Sequence, residues 1–427
     1  MSIALQSKSI YHGLPVLPSE SKSLTAIVTG ANGISGDHML RVLCESPERW
    51  TKIYALSRRP PNGAWPAQVE HVSLDLLASP EDLAKQLEIR GIKADYVFFF
   101  AYIQPKPKDG GNIWSAAEDL VTVNKKLLVN FLEAQALAKL LPRHVLLQLG
   151  AKYYGVHLGP TKLPNEESDS RVYLEPNFYY DQENYLKEFA AKHNISWNTT
   201  RPANVPGAVP DAAMNLCLPL GIYAAVQKHL QHPLEFPSDL AAWTNIQVLS
   251  SARMNCYLAE WAVLTKEAKN ESFNCSDDCA FTWEMFWPKL AAACDLPYKG
   301  PIDATEKVKY HEFQTPYNPP PRGYGPQALI RSRFTLAEWA NRPEVQNAWR
   351  EIAKEHKLRH QELANMDQVF GFTDMALFFS YPLVLSMGKA KKLGFFGYVD
   401  ATESIFKTLG EFVDLGMIPP FGGPHFQ

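Results

Sequence analysis

The chain has 427 residues, of which 46% are apolar and 20% charged, and a formal net charge of −3. It is longer than an ordinary domain of ~100–200 residues and apolar enough to bury extensive cores, so two lobes are expected and a disordered chain is excluded. Its basic residues are scattered and balanced by acidic ones, which excludes a nucleic-acid-coating protein or one held on anionic lipid and leaves a small molecule as the default partner.

Residues 1–22 lack the uninterrupted apolar stretch of a secretory signal, and Pro15 and Pro18 predict an irregular lead-in. The most apolar segments, Tyr96–Ile103 and Met375–Met387, fall well short of the ~20 residues that cross a bilayer, so a cytoplasmic protein without a membrane span is expected. Cys44, Cys217, Cys256, Cys275, Cys279 and Cys294 form no C-x-x-C and have no histidines at zinc spacing. Reduced, mostly buried thiols and no metal site are expected.

Leu24–Thr29 (LTAIVT) reads as a strand, followed by a glycine-rich turn and a helical pattern at Asp37–Glu45. Further strands are expected at Lys52–Leu56, Val69–Val72, Asp95–Ala101, His144–Leu149 and Ser196–Thr200. Helices are expected at Asp82–Leu87, Leu120–Leu140 and Glu183–His193. This alternation predicts an α/β fold, a doubly wound parallel Rossmann sheet over residues 23–207 with later contributions from 235–275. Beyond residue 207 the rhythm changes, with helical patterns at Met214–Leu230 and Gln247–Leu264, a proline-rich stretch at Thr315–Arg322 and a largely helical, aromatic-rich Leu336–Ser386. Residues 276–427 are therefore expected to form a smaller, mainly helical substrate-binding lobe.

Thr29-Gly30-Ala31-Asn32-Gly33-Ile34-Ser35-Gly36 places G-x-x-G-x-x-G between the first strand and the first helix. A Cβ would obstruct both the tight turn and the approach of backbone N–H groups to a pyrophosphate, so Gly30, Asn32, Gly33, Ile34 and Gly36 are candidate dinucleotide contacts. About 20 residues further on, where an NAD site offers a carboxylate to the ribose, the second strand ends in Ser57-Arg58-Arg59. Paired guanidiniums suit the 2′-phosphate of NADPH, and Asp75 and Leu76 after the third strand are placed for the adenine.

Short-chain dehydrogenases commonly carry Tyr-x-x-x-Lys on one helix, where the ammonium lowers the phenol pKa. Here the residue four beyond Tyr179 is Glu183 and that beyond Tyr180 is Asn184, whereas a lysine, Lys152, stands in LQLGAKYYG just after a strand. The stretches TGANGISG with SRR, LQLGAKYYG, NFYYDQENYL and RPANVPG, with AAWTNIQVLSSARMNCYLAEWAV and ESFNCSDDCAFTW, together resemble the progesterone 5β-reductase/iridoid synthase-like enzymes, an atypical branch of the extended short-chain dehydrogenases. The resemblance implies that Tyr179 and Lys152 are the catalytic pair and that Ala101 and Val205 border the cofactor. It also implies NADPH-dependent reduction of a C=C bond next to a carbonyl. Departures from the family are Tyr153 where a histidine is usual, Phe100 where a tryptophan precedes Ala101, and the enlarged turn Gly155-Val156-His157-Leu158.

A bulky apolar enone or enal is the expected substrate, with Phe100, Tyr102, Met214, Phe370 and Phe378 as candidate pocket residues. The remaining readings are a carbonyl reductase using the same pair and an NADP-binding regulator without turnover. The sequence leaves the oligomeric state open, a homodimer among the assemblies it permits.

Overall fold

A computed structural model of the chain describes residues 3–106, 115–212, 214–301 and 308–422. Its largest sheet holds seven strands: β1 (Leu24–Thr29), β2 (Trp50–Ser57), β3 (Val69–Ser73), β4 (Tyr96–Phe99), β5 (His144–Gln148), β6 (Ser196–Pro202) and β7 (Glu271–Cys275). All pairings are parallel and the spatial order is β7-β6-β5-β4-β1-β2-β3. The chain therefore runs outward from β1 to β3, returns to the other side of β1 as β4, and runs outward again. A crevice at the carboxyl ends of β1 and β4 follows from that reversal.

Alternation along each strand explains the layers. Ala26, Val28, Phe98 and Leu146 point to one face and pack with Met39 and Leu40 of α1 (Ile34–Cys44). Ile27, Val97, Phe99, Val145 and Leu147 point to the other, against Leu83 of α2 (Pro80–Ile89), Phe131 of α3 (Ala117–Leu137) and Leu186 of α4 (Phe178–His193). A third core starts at α5 (Cys217–His229), whereas α6 (Ala252–Leu264) returns to pack on α1. The third core continues through α7 (Trp283–Ala293), α8 (Leu336–Ala340), α9 (Pro343–Glu355), α10 (Met366–Phe378) and α11 (Ala401–Asp414). Its rings pack edge to face, as between Tyr223 and Trp339, whose centroids are 4.7 Å apart at 88°.

Three local expectations are corrected. In place of an irregular lead-in, Leu5–Lys8 and Tyr11–Pro15 pair as an antiparallel hairpin, because Tyr11 and Leu14 are buried and His12 exchanges backbone hydrogen bonds of 3.0 and 2.9 Å with Tyr398. The pattern read as one helix over Gln247–Leu264 splits, with α6 beginning only at Ala252. Residues before it are held sideways: Val248 N donates to Leu383 O, and Ser250 Oγ accepts from Ala203 N and donates to Cys275 O. Finally, the Asp95–Ala101 run pairs only as far as Phe99, since the N–H groups of Phe100 and Ala101 turn to Thr29 Oγ1.

Among the described residues no helix is long and apolar enough to cross a membrane, and no group of three or more His, Cys, Asp or Glu is placed to hold a metal. The six cysteines form no disulfide.

Candidate active site

At the end of β1 the backbone turns directly into α1. Gly30 has φ +66°, and a Cβ on Gly36 would lie 2.2 Å from the Gly30 carbonyl oxygen, so strand and helix meet this closely only with glycine at both positions. The N-cap of α1 is Gly33, which offers no side-chain cap, so the first N–H groups of the helix remain open to a ligand. Thr29 Oγ1 accepts from the N–H groups of Phe100 and Ala101 at 3.1 and 3.2 Å, fastening the ends of β1 and β4 across the reversal point. Asn32 Nδ2 donates to Pro60 O at 3.2 Å, while its buried Oδ1 has no hydrogen-bond partner among the described residues.

From this turn a cavity of about 910 Å³ runs toward the helical core. Gly30, Asn32, Gly33, Ile34 and Gly36 line one end together with Ser57, Arg58 and Arg59 from the end of β2 and Asp75 and Leu76 from the end of β3. Ala101 and Val205 flank the middle, as do Lys152 and Tyr179. Phe100, Tyr102, Met214 and Phe370 also border it. Phe378 does not: it closes α10 and packs against the third core, while Phe372, one helical face away, takes a place in the wall. Trp349, Leu363 and Val369 complete that apolar end.

Lys152 and Tyr179 come from different elements and are joined by a third residue. A single turn of 3₁₀ helix, Ala151–Tyr154, follows β5 and carries Lys152. Asn177 caps α4, its Oδ1 accepting from Tyr179 N at 3.1 Å, and its Nδ2 donates to Lys152 O at 3.0 Å. A Cβ on Gly150 would stand 2.7 Å from Tyr179 Oη, so glycine is what lets the phenol reach the end of β5. Burial pulls the Lys152 ammonium down to about 7 against the opposing charge of Glu175, and burial also pushes the Tyr179 phenol up. Beside them Tyr102 Oη donates to Gln104 Oε1, and burial, then Tyr179, raises its phenol.

The neighbouring aromatic residues serve the scaffold. Tyr180 Oη donates to Tyr153 O at 2.6 Å, turned away from the cavity. Tyr153 Oη donates to Glu183 Oε2 at 3.0 Å, and Glu183 also binds Arg171 at 2.6 Å and Arg201 at 3.1 Å. Although burial pushes the Glu183 carboxyl up, Arg171, Arg201 and Lys187 hold it at about 2. Glu183, at the place of the usual helical lysine, thus anchors α4 from behind. His157 lies outside the main cavity, with Lys152, Glu175 and Asn177 around a void of about 10 Å³, where burial, then Lys152, keeps its imidazole well below the ordinary value.

Asn177, Gly150, Trp349 and Asp211 are not marked by their sequence roles. Only Asn177 carried a readable signal, an asparagine directly before a helical run.

Residues 26–310 match the model of the PRISE-like Rossmann-fold domain. The chain belongs to this family. It is similar to an uncharacterized protein of Schizosaccharomyces pombe, 31% identical over 92% of this chain and 98% of that one. It is 28% identical to the (S)-8-oxocitronellyl enol synthase of Catharanthus roseus over 94% of both chains. Identity to the 3-oxo-Delta(4,5)-steroid 5-beta-reductase of Arabidopsis thaliana is 27% over 94% of this chain and 95% of the relative. Among solved structures, the UDP-glucose 4-epimerase of Thermotoga maritima superposes with a TM-score of 0.56 over 92% of this chain and 99% of that chain; at 14% identity the likeness is one of fold. The PRISE-like protein is an oxidoreductase of the short-chain dehydrogenase type.

Proposed function

We propose that this PRISE-like protein is an NADPH-dependent reductase of C=C bonds conjugated to a carbonyl in bulky apolar small molecules. The observation that carries the reading is the joint placement of Lys152 and Tyr179 on one cavity that has the glycine turn and Arg58-Arg59 at one end and apolar walls at the other. The names of the Catharanthus and Arabidopsis relatives agree with it.

The residues fit the dinucleotide. The open N-terminus of α1 suits a pyrophosphate, the orphaned Asn32 Oδ1 awaits a donor, and Arg58 and Arg59 suit a 2′-phosphate at the end of β2, which carries arginines in place of a ribose-binding carboxylate. When bound, the reduced nicotinamide supplies a hydride to the substrate's β-carbon. Negative charge then grows on the carbonyl oxygen. Tyr179, whose phenol stays protonated because of its burial, donates a hydrogen bond to that oxygen. Lys152, poised near neutrality, gains from holding its proton as the charge develops and so stabilises the same oxyanion. Phe100, Phe370 and Phe372 exclude water from the reacting end.

The test is incubation with NADPH deuterated at its transferable position and a panel of linear and cyclic enones and enals. Products should gain two hydrogens, deuterium on the β-carbon and a proton from solvent on the α-carbon as the enolate collapses to the carbonyl. Deuterium on the carbonyl carbon would instead make the protein a carbonyl reductase, and tight cofactor binding without turnover across the panel would make it a binder only.

A further inference from the structure

Arg58 and Arg59 both line the glycine-turn end of the cavity, yet they are not equivalent. Arg58 makes no ion pair among the described residues, whereas an Arg59 guanidinium nitrogen lies 3.4 Å from Asp211 Oδ2. Asp211 belongs to the segment after β6 and is 152 residues away in sequence, so this pair bridges the mouth from opposite sides. The backbones on the arginine side are fixed: Ser73 Oγ donates to Arg58 O at 3.2 Å and Ser57 Oγ to Arg59 O at 2.7 Å. What remains free to redistribute is the Arg59 side chain, which is 72% exposed. On the opposite side Pro210 and Asp211 both line the cavity, which places the carboxylate at the mouth.

We propose that Asp211 is a specificity-determining residue that competes with the cofactor's 2′-phosphate for Arg59. The inference rests on the NADPH reading above and deepens it. An Arg59 engaged by Asp211 offers a phosphate only its remaining N–H donors and a partly neutralised charge, so the pair lowers what Arg59 contributes to binding until it opens. An exposed pair of this kind is weak, and holding one of two arginines in it lowers the apparent affinity for the phosphorylated dinucleotide by about two- to sixfold. An Asp211 carboxylate that keeps its place beside Arg59 would also repel a phosphate held there, because charges so placed are not fully screened by physiological salt. Both effects act only on a cofactor that carries the phosphate. Arg58 is therefore the principal phosphate ligand and Arg59 the adjustable one, with Asp211 limiting how tightly NADPH is held and how slowly it leaves.

Dissociation constants of NADPH and NADH for the full chain and for D211N, D211A, R59A, R58A and R59A/D211N, with melting curves for each, test this. D211N and D211A should tighten NADPH two- to sixfold and change NADH by less than half that factor. R58A should weaken NADPH more than R59A does, and D211N should have a smaller effect in the R59A background than in the unaltered chain. Equal tightening of both cofactors, no change, or weakened NADPH binding in D211N would overturn the competition. Failure of the underlying reading looks different: R58A and R59A would then weaken NADPH and NADH alike.

Discussion

From the glycine-turn end to the middle of the cavity, the residues singled out in the sequence sit mostly at or just beyond the carboxyl ends of strands: Gly30 to Gly36 after β1, Ser57 to Arg59 at β2, Asp75 and Leu76 after β3, Lys152 after β5. At the opposite end the wall is assembled from α9, α10 and the segment between them, through Trp349, Leu363, Val369, Phe370 and Phe372. The first region demands particular residue types, because backbone clearance at Gly36 and charge at Arg58 admit few substitutes. The second demands only apolar volume, which many side chains supply. A family can therefore keep one end while altering the other, and substitutions should separate along that line.

The largest effect belongs to Tyr179, whose phenol reaches from α4 to the strand-end region beside Gly150. Tyr179→Phe removes the donor aimed at the developing oxyanion, and turnover should fall about 10²- to 10⁴-fold, while NADPH titration gives an unchanged dissociation constant. Tyr180→Phe is the contrast: it loses the hydrogen bond to Tyr153 O, lowering stability by about 1 kcal/mol, and keeps most activity. An inactive Tyr180→Phe beside an active Tyr179→Phe would reverse the assignment of the two rings.

The helical region should divide within one helix. Phe370 is fully buried in the third core, so Phe370→Ala should cost about 3–5 kcal/mol in denaturant unfolding. Phe372 is half-buried at the cavity wall, and Phe372→Ala should change the ranking of enone substrates at smaller cost in stability. Equal destabilisation with an unchanged ranking would make that wall plain core.

How much of this was legible in the sequence follows the same division. Strands such as LTAIVT and HVLLQL announce themselves because a parallel sheet covered on both faces needs unbroken apolar runs. β7 does not, since Glu271–Cys275 mixes polar residues into a buried strand. Its Ser272 and Asn274 are tolerated because Ser272 Oγ donates to Glu183 Oε1 at 3.2 Å and Asn274 Nδ2 to Asn165 O at 2.9 Å. Partners so distant in sequence leave no local pattern, and the Arg59–Asp211 pair is invisible for the same reason. Among the aromatics of residues 370–381, helical periodicity says which share a face but not which face meets a cavity. The sequence therefore leaves open which of Phe370, Phe372 and Phe378 reach the cavity, and Phe378 does not border it.

A pH profile probes the strand-end chemistry more gently. Burial brings Lys152 to about 7, so its ammonium is present below that value and is lost as pH rises through it. The kcat/KM for an enone should therefore decline above about pH 7, approaching tenfold per unit. Lys152→Arg, always charged, should show a lower rate without that alkaline limb. A limb unchanged in Lys152→Arg would assign the titration to another group.

The smallest effect concerns the residue that joins the two catalytic elements. Asn177 both caps α4 through Oδ1 and holds the Lys152 turn through Nδ2. Asn177→Ala loses both bonds and should lower stability by about 1 kcal/mol with a few-fold drop in kcat. Asn177→Asp separates the roles, because a carboxylate can still accept from Tyr179 N but cannot donate to Lys152 O. Stability should then return toward that of the unaltered chain, while the turn stays unfastened. The added negative charge borders the same small void as Lys152, so it favours the ammonium and should move the alkaline limb to higher pH. If Asn177→Asp instead matched the unaltered chain in both melting and pH profile, the cap alone would account for the residue, and Lys152 would owe its position to its own turn.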